Sequence, residues 1–329
     1  MTKQPESVGR RLVQAVALVT GVTMAAAGIL LVLTAAGVTS VGASHQDEAE
    51  IAGAQVVAAA AAAAVDAAGP AIATRAASLR PSGPGTVSVL ALAAPGEATA
   101  DRSVYVYRPA VPDSADLPVV YFLHGVPGGP DDVFAAGLAS YLNTAFLNGM
   151  APFVVASPDG NGDSHDDTEW ADAWNGSDRI ETFLVDTVIP AVEGTHPRDG
   201  AHRAIAGDSM GGYGALNIAM RHPGVFTQVV SIAGYFHVDD PASMFDNQSD
   251  LVDANSPDQH PDAARGLQIL LVDGTSESDP VIQGESQRMS QLLDDHDIPN
   301  QLVMAPGDDS YEFVASQFGA VTAFLEKGF

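Results

Sequence analysis

A serine flanked by glycines stands where an apolar run meets a helical pattern. The run Arg203–Ala206 is followed by Gly207-Asp208-Ser209-Met210-Gly211-Gly212, which has the pattern G-x-S-x-G. A sharp strand-to-helix turn of this type exposes a serine hydroxyl for nucleophilic attack, and it needs flanking glycines because side chains there would clash. The pattern alone is weak, since a glycine-rich turn with an idle serine would look the same. The strand and helix on either side favour Ser209 as a nucleophile.

A second glycine-rich loop could stabilise the negative charge that such an attack creates. The apolar run Pro118–Leu123 ends in His124-Gly125-Val126-Pro127-Gly128-Gly129. A loop of this HG-x-x-GG type supplies one backbone N–H, here from Val126, and the residue after the nucleophile, Met210, supplies the other. We interpret His124 as a structural residue of the loop rather than a base.

A sheet must position these loops, and the chain from residue 86 onward predicts one. Short apolar runs alternate with helical patterns, which is typical of right-handed crossovers and a mostly parallel sheet. The predicted strands are Thr86–Leu92, Ser103–Tyr107, Pro118–Leu123, Phe153–Ala156, Arg203–Ala206, Gln228–Ile232, Gln268–Val272 and Gln301–Ala305, and the predicted helices are Asp131–Leu147, Arg179–Val192, Met210–Arg221, Pro280–Asp294 and Tyr311–Glu326. The first two strands lack an intervening helix and should form an antiparallel edge. We therefore predict an α/β-hydrolase fold: a mostly parallel eight-stranded sheet, helices on both faces, and a site at the carboxyl ends of the strands.

Residues 119–236 also carry a family resemblance. The chain resembles esterases of the esterase D and mycolyltransferase type in the stretches YFLHGVPGG, SPDG, ETFLVDTVIPAV, RAIAGDSMGGYGALNIAMRHPGVF and SIAGYF. The similarity extends over most of residues 86–329. It implies an α/β-hydrolase fold, a Ser-acid-His triad, and carboxylester hydrolysis or acyl transfer through an acyl-serine.

The resemblance implies that the triad acid follows the seventh strand. There the chain reads Asp273-Gly274-Thr275-Ser276-Glu277-Ser278-Asp279-Pro280, and the family pattern resembles G-T-x-D-P. The distance from the glycine favours Glu277, whereas the following proline and the distance to Leu292 favour Asp279. We choose Asp279 and keep Glu277 as the second candidate. Both acids could instead simply cap the helix that begins near Pro280.

An aspartate occupies the position that the resemblance gives to the catalytic histidine. The family's last motif resembles P-G-x-H-S-[WY]-E-[FY]-W, and this chain reads Pro306-Gly307-Asp308-Asp309-Ser310-Tyr311-Glu312-Phe313-Val314, so Asp309 replaces the histidine. A carboxylate of ordinary pKa is a poor acceptor for a serine proton. His165, after the fourth strand, and His237, after the sixth, are candidates for a substitute base. Each is alternatively a solvated loop residue.

Two functions follow from this mixture of features. The first is a serine esterase or acyltransferase that acts on a small-molecule or lipid ester through acyl-Ser209 and needs no cofactor. The second is a catalytically inactive relative that binds an acyl or glycolipid ligand or a protein partner. The intact glycine turns favour the first function, which we prefer, and Asp309 favours the second.

An acidic loop at residues 159–167 is a separate feature. It spaces oxygen ligands in a D-x-N-x-D pattern that suits calcium, but it lacks the glycine and glutamate of a complete EF-hand. We interpret it as a solvated acidic loop and predict no metal site.

The amino-terminal residues predict a membrane segment. Residues 1–11 carry Lys3, Arg10 and Arg11, and residues 12–44 contain no charged side chain. A run of this length can span a bilayer, and acids after it place the remainder outside the cytoplasm. A signal peptide cleaved near Ala43 is the alternative. We interpret residues 45–85 as an alanine-rich stalk and residues 86–329 as the hydrolase domain.

Composition excludes several classes of function. The formal net charge is −27, from 14 Lys+Arg against 41 Asp+Glu, so the surface should repel the phosphates of nucleic acids. The chain has no cysteine, which excludes cysteine nucleophiles, thiolate zinc sites and disulfides.

Overall fold

The computed structural model describes residues 79–95, 101–112 and 116–329. The predicted segments 1–11 and 12–44, and most of the predicted stalk 45–85, lie outside the described residues. Within the described ranges, no helix is long and apolar enough to cross a membrane.

The described residues build one eight-stranded sheet in the order β1-β2-β4-β3-β5-β6-β7-β8. The strands are β1 (Thr86–Ala93), β2 (Asp101–Arg108), β3 (Val119–Leu123), β4 (Val154–Pro158), β5 (Arg203–Asp208), β6 (Gln228–Ile232), β7 (Gln268–Gly274) and β8 (Asn300–Ala305). The pairs β1–β2 and β2–β4 are antiparallel, and the remaining pairs are parallel. This arrangement confirms the predicted mostly parallel sheet and its antiparallel edge.

Helices cover both faces of the sheet. They are α1 (Asp132–Ala135), α2 (Leu138–Leu147), α3 (Ile180–Thr182), α4 (Ile189–Glu193), α5 (Met210–Arg221), α6 (Ser249–Ala254), α7 (Glu285–Asp295), α8 (Tyr311–Ser316) and α9 (Phe318–Gly328). Alternate side chains of a strand point to opposite faces, so Tyr121 of β3 packs in a core with α5 and α7, whereas Phe122 packs in a second core with α2 and α9. Both cores are built from apolar side chains, which explains why the central strands read as continuous apolar runs.

Two predicted helices differ from the structure because a glycine interrupts them. The predicted helix Asp131–Leu147 is divided into α1 and α2 at Gly137, which has a φ of 101°. The predicted helix Pro280–Asp294 begins only after Gly284, which has a φ of 80°. Left-handed backbone cannot continue a right-handed helix, although the apolar periodicity runs through the break.

The other three helix predictions agree more closely with the structure. The prediction Met210–Arg221 coincides with α5. The predicted helix Arg179–Val192 is formed by α3 and α4, with a π-helical segment between them at Phe183–Val188. The predicted helix Tyr311–Glu326 is divided at Gln317, whose ψ of −4° departs from helical geometry.

The sheet register brings four loops together at one edge. Leu123 at the end of β3 pairs with Gly207 near the end of β5, so the loops after these strands begin side by side. Gly274 of β7 likewise pairs with Ala305 of β8, which brings the loops after those strands together. Ser276 N–H also donates to the Gly307 carbonyl at 2.8 Å.

Candidate active site

Ser209 occupies a strained turn between β5 and α5. Its backbone has φ 54° and ψ −120°, and its N–H donates to the Ile232 carbonyl at 2.9 Å. A Cβ on Gly211 would meet the carbonyl of Leu123, and one on Gly207 would meet the backbone of Gly211, so the turn requires glycine at both positions. This is the turn that the sequence predicts, and it holds the serine at the carboxyl edge of the sheet.

A cavity of about 320 Å³ opens over Ser209. It is lined by Gly125, Val126, Pro127, Asp208, Ser209, Asp309, Ser310, Tyr311 and Glu312. Of the two expected oxyanion donors, Val126 lines this cavity, and Met210 is the first residue of α5. The N–H groups of a helix's first turn have no partner within the helix and favour negative charge nearby. The arrangement is therefore compatible with an oxyanion hole, and the two donor roles stay predictions.

Asp309 lies beside the serine. Both residues line the wall of the same cavity, and the serine hydroxyl is near enough to affect the charge of the Asp309 carboxylate. The Asp309 side chain reaches solvent through the cavity, yet partial burial raises its pKa. The Ser209 hydroxyl lowers this pKa, and the nearby carboxylates of Glu277 and Asp279 raise it further, so the pKa lies above its usual value. A carboxylate with a raised pKa is a stronger base than an aspartate of ordinary pKa.

The two candidates for the triad acid occupy different positions. Glu277 is buried, and its Oε2 accepts the Asp309 backbone N–H at 2.7 Å. Its Oε1 accepts the N–H groups of Ser278 and Asp279, both at 2.7 Å. Asp279 is exposed and accepts the Val281 N–H at 2.9 Å, in the local turn that precedes α7. The structure therefore places Glu277, the second candidate, next to Asp309, whereas the turn directs the preferred Asp279 to solvent; the role of triad acid stays a prediction.

No histidine is among the residues that line the cavity in the described part of the chain. His165 Nδ1 lies 2.8 Å from the Asp178 carboxylate, and the exposed His237 Nδ1 lies 3.0 Å from Asp258. The structure thus does not bring either candidate substitute base into the cavity. His165 is held by a buried carboxylate, and His237 borders a different pocket.

His124 serves the backbone of the oxyanion loop. The Gly160 N–H donates to its Nε2 at 2.9 Å, so the proton resides on Nδ1, which donates to the Gly125 carbonyl at 2.8 Å. Burial lowers the pKa of His124, although hydrogen bonding to Gly125 raises it. A neutral imidazole with both nitrogens engaged agrees with the interpretation of His124 as a structural residue.

The acidic loop at residues 159–167 is organised around Asp178. The Asp178 carboxylate accepts the N–H groups of Asp163 and Ser164 at 2.7 and 3.0 Å, as well as contacting His165. Arg102 Nη2 lies 3.6 Å from the same carboxylate. Within the described ranges, no group of three or more acidic or histidine side chains is arranged to hold a metal ion.

Asp208, Asp132 and Tyr311 are site residues that the sequence reasoning missed. Burial raises the pKa of Asp208 to about 8, and the carboxylates of Asp309 and Asp132 add to this effect. The Tyr311 hydroxyl donates to Asp132 Oδ2 at 2.6 Å. Burial and this hydrogen bond raise the pKa of Tyr311 well above its usual value. The position of Asp208, directly before Ser209, could have indicated it from the sequence. Asp132 and Tyr311 are far apart in the sequence, so no local pattern indicates their pairing.

Comparison with known proteins identifies the family. The family model described as "Putative esterase" matches residues 97–319. Esterase MT1326 of Mycobacterium tuberculosis is 29% identical over an alignment of 206 positions, which covers 54% of this chain and 42% of that esterase. Mouse S-formylglutathione hydrolase is 26% identical over an alignment of 144 positions, which covers 39% of this chain and 50% of that enzyme. The chain thus spans about half the length of the curated relatives it matches or less.

Solved structures support the fold. A ferulic acid esterase aligns with a TM-score of 0.66 and 21% identity over 75% of this chain and 99% of that one. S-formylglutathione hydrolase from Agrobacterium tumefaciens aligns with a TM-score of 0.63 and 18% identity, over 76% of this chain and 97% of that one. MPT51 (FbpC1) of Mycobacterium tuberculosis aligns with a TM-score of 0.60 and 21% identity, over 74% of this chain and 98% of that one. With the serine turn, the mostly parallel sheet and the family match all in agreement, the chain belongs to the "Putative esterase" family and has the α/β-hydrolase fold of serine esterases.

Proposed function

We propose that this chain is a serine esterase or acyltransferase that forms an acyl-Ser209 intermediate, with Asp309 as the base in place of histidine. The observation that carries the proposal is the position of Asp309 beside Ser209 in the wall of one cavity, where the serine hydroxyl acts on the Asp309 carboxylate. A base must lie within hydrogen-bond reach of the proton that it removes. A strained turn such as that of Ser209 costs free energy, which supports a functional reason for it.

The proposed reaction begins when Asp309 takes the proton of the Ser209 hydroxyl and the serine oxygen attacks the ester carbonyl carbon. The N–H groups of Val126 and Met210 stabilise the resulting oxyanion. The oxyanion collapses, the ester C–O bond breaks, and the leaving alcohol takes the proton from Asp309. Water or an acceptor alcohol then attacks the acyl-serine while Asp309 removes its proton. The bond between the acyl group and the serine oxygen breaks as Asp309 returns that proton to Ser209, which releases the acid or the new ester and restores both residues. Glu277 acts as a positioning residue, because it accepts the Asp309 backbone N–H.

Reactivity of the serine tests this proposal. A fluorophosphonate probe should label the protein, and Ser209→Ala should abolish the labelling. Asp309→Asn should lower hydrolysis of p-nitrophenyl acetate by at least roughly tenfold, since a positioned base contributes about 10²–10⁴-fold. Asp186→Asn removes an exposed carboxylate outside the cavity and is the matched control, with an expected rate equal to the parent's. An unchanged rate in Asp309→Asn would exclude Asp309 as the base.

A second candidate is a catalytically inactive protein that binds an acyl or glycolipid ligand or a protein partner. The observation that favours it is the absence of histidine from the described residues that line the cavity. Under this alternative the probe labels neither the parent nor Ser209→Ala, and both bind an acyl ligand equally well in calorimetry.

We also propose that the hydrolase domain lies outside the cytoplasm, held by residues 12–44 as a single-pass membrane anchor. The uncharged run and the basic residues before it support this topology. Protease added to intact cells should degrade a domain that fractionates with membranes before the treatment. Full protection from the protease would refute the topology, and release of a soluble form beginning near residue 44 would support cleavage instead.

A further inference from the structure

The cavity over Ser209 combines a nucleophile with an acidic wall. Asp309 and Glu312 line it, and Val126 and Pro127 supply the apolar part. Asp208 also lines it, but its raised pKa of about 8 leaves it mostly uncharged near neutral pH. The lining residues, all within the described ranges, include no lysine, arginine or histidine. The cavity is a ligand site independently of its charge, because the serine turn and the family match both point to an ester there.

The charged groups around the cavity have the same sign. Besides burial, the charges that shift the pKa of Asp309 include those of Glu277 and Asp279, and Asp132 acts on Asp208. All of these groups are carboxylates, and each raises the pKa that it affects. The net charge of −27 over the whole chain adds a field of the same sign. A bound ligand therefore experiences a negative potential from several loops at once.

This potential bears on the chemistry as well as on binding. Attack of Ser209 on an ester creates an oxyanion, and carboxylates nearby oppose that charge. A positive charge carried by the substrate would offset the repulsion in the transition state, whereas an anionic acyl group would add to it. One full charge about 6 Å from a ligand cation, at a dielectric constant of about 40, changes affinity about tenfold.

Building on the proposed esterase function, we infer that this cavity selects esters that carry an amine or quaternary ammonium group close to the scissile carbonyl, and that it discriminates against anionic esters. Glu312 is the specificity-determining residue at the exposed rim, because it lines the cavity without belonging to the Ser209–Asp309 pair. Such selection depends on ionic strength, since salt screens exposed charges.

Two esters of equal shape test the inference. Butyrylcholine and its uncharged carbon analogue 3,3-dimethylbutyl butyrate differ only in the positive charge. We expect kcat/KM to be at least about tenfold higher for butyrylcholine at low ionic strength, and the ratio to fall toward one in about 1 M salt. Glu312→Gln should reduce the ratio severalfold, whereas the matched control Asp186→Asn should leave it unchanged.

Binding measured without turnover separates this inference from the proposed function. The Ser209→Ala protein should bind butyrylcholine at least about tenfold more tightly than the carbon analogue in calorimetry. Equal affinities, or a ratio that does not respond to salt and Glu312→Gln, would overturn the inference even if both esters are hydrolysed. Charge-dependent binding without any hydrolysis by the parent would instead uphold the cavity's selectivity and refute the proposed catalysis.

Discussion

Replacing Asp309 with histidine would place an imidazole between the serine and a fixed carboxylate. The Ser209 hydroxyl already lies near the side chain at this position. On the other side, Glu277 Oε2 lies 2.7 Å from the Asp309 backbone nitrogen. Glu277 Oε1 is held by two further backbone N–H groups, so the carboxylate is fixed independently of residue 309. Asp309→His would thus complete a serine–histidine–glutamate arrangement.

The size of the effect follows from the relative strengths of the two bases. An imidazole has a reference pKa of about 6.5 and an aspartate one of about 3.9, a difference of about 2.6 units. With a Brønsted coefficient of about one half, the stronger base accelerates proton removal by about 20-fold. Burial already raises the pKa of Asp309, which reduces the difference. We therefore expect kcat to rise by about tenfold.

The assay is hydrolysis of p-nitrophenyl acetate by purified protein between pH 5 and pH 9. Neighbouring carboxylates favour the charged imidazole, so the gain should appear above about pH 7 and be lost as the pH falls and the ring is protonated. Asp308→His places the same side chain one residue away and should bring no gain. Adding Ser209→Ala to Asp309→His should abolish the gain, and adding Glu277→Gln should reduce it.

Two results would refute the reasoning. If Asp309→His folds with a normal circular dichroism spectrum and gains no more activity than Asp308→His, position 309 does not hold the base. If the parent enzyme is already fast and Asp309→His slows it, the carboxylate performs a step that an imidazole cannot.

Three further predictions concern stability. Burial raises the pKa of Glu169 to about 8, so the folded protein retains a proton that the unfolded chain releases, and stability should fall as the pH rises from about 4.5 to about 8. Glu169→Gln should make the melting temperature less dependent on pH in this window, although the raised pKa of Asp208 should leave some dependence. A melting temperature that depends on pH as strongly as in the parent would contradict this prediction. Ser209→Gly should raise the melting temperature relative to Ser209→Ala, since glycine accepts a φ of 54° without strain, and equal values would indicate that the turn is relaxed. Gly211→Ala should lower the free energy of unfolding in urea by about 3 kcal/mol, because its Cβ would meet the Leu123 carbonyl, whereas Gly129→Ala, whose nearest contact is 3.6 Å away, should change it by less than about 1 kcal/mol.

Local patterns were sufficient to predict the fold and the serine turn. Most strands from β3 onward are apolar runs that end at turn residues, and all eight strands could be predicted to within two residues at either end. The serine turn depends on residues that are adjacent in the chain, and its steric need for glycine is visible in the letters G-D-S-M-G. These features are local in sequence, so no knowledge of distant contacts was needed.

The carboxylate next to Asp309 was decided by the tertiary structure. Glu277 and Asp279 are two residues apart, and both follow β7. The register of β7 against β8 brings Glu277 to the loop that holds Asp309, and the turn before α7 directs Asp279 to solvent. The interruption of the predicted helix at Gly137 was likewise decided by the left-handed backbone of that residue, which the periodicity of apolar side chains does not reveal.

The electrostatic character of the site depends on the fold in the same way. Asp208 ends β5, and Asp132, Glu277 and Asp309 follow three other strands, with no pattern in the sequence to link the four. They converge because the carboxyl ends of β3, β5, β7 and β8 lie at one edge of a parallel sheet. Charges act through space, so the raised pKa values of Asp208 and Asp309 follow from this convergence and from burial, neither of which exists before the chain folds.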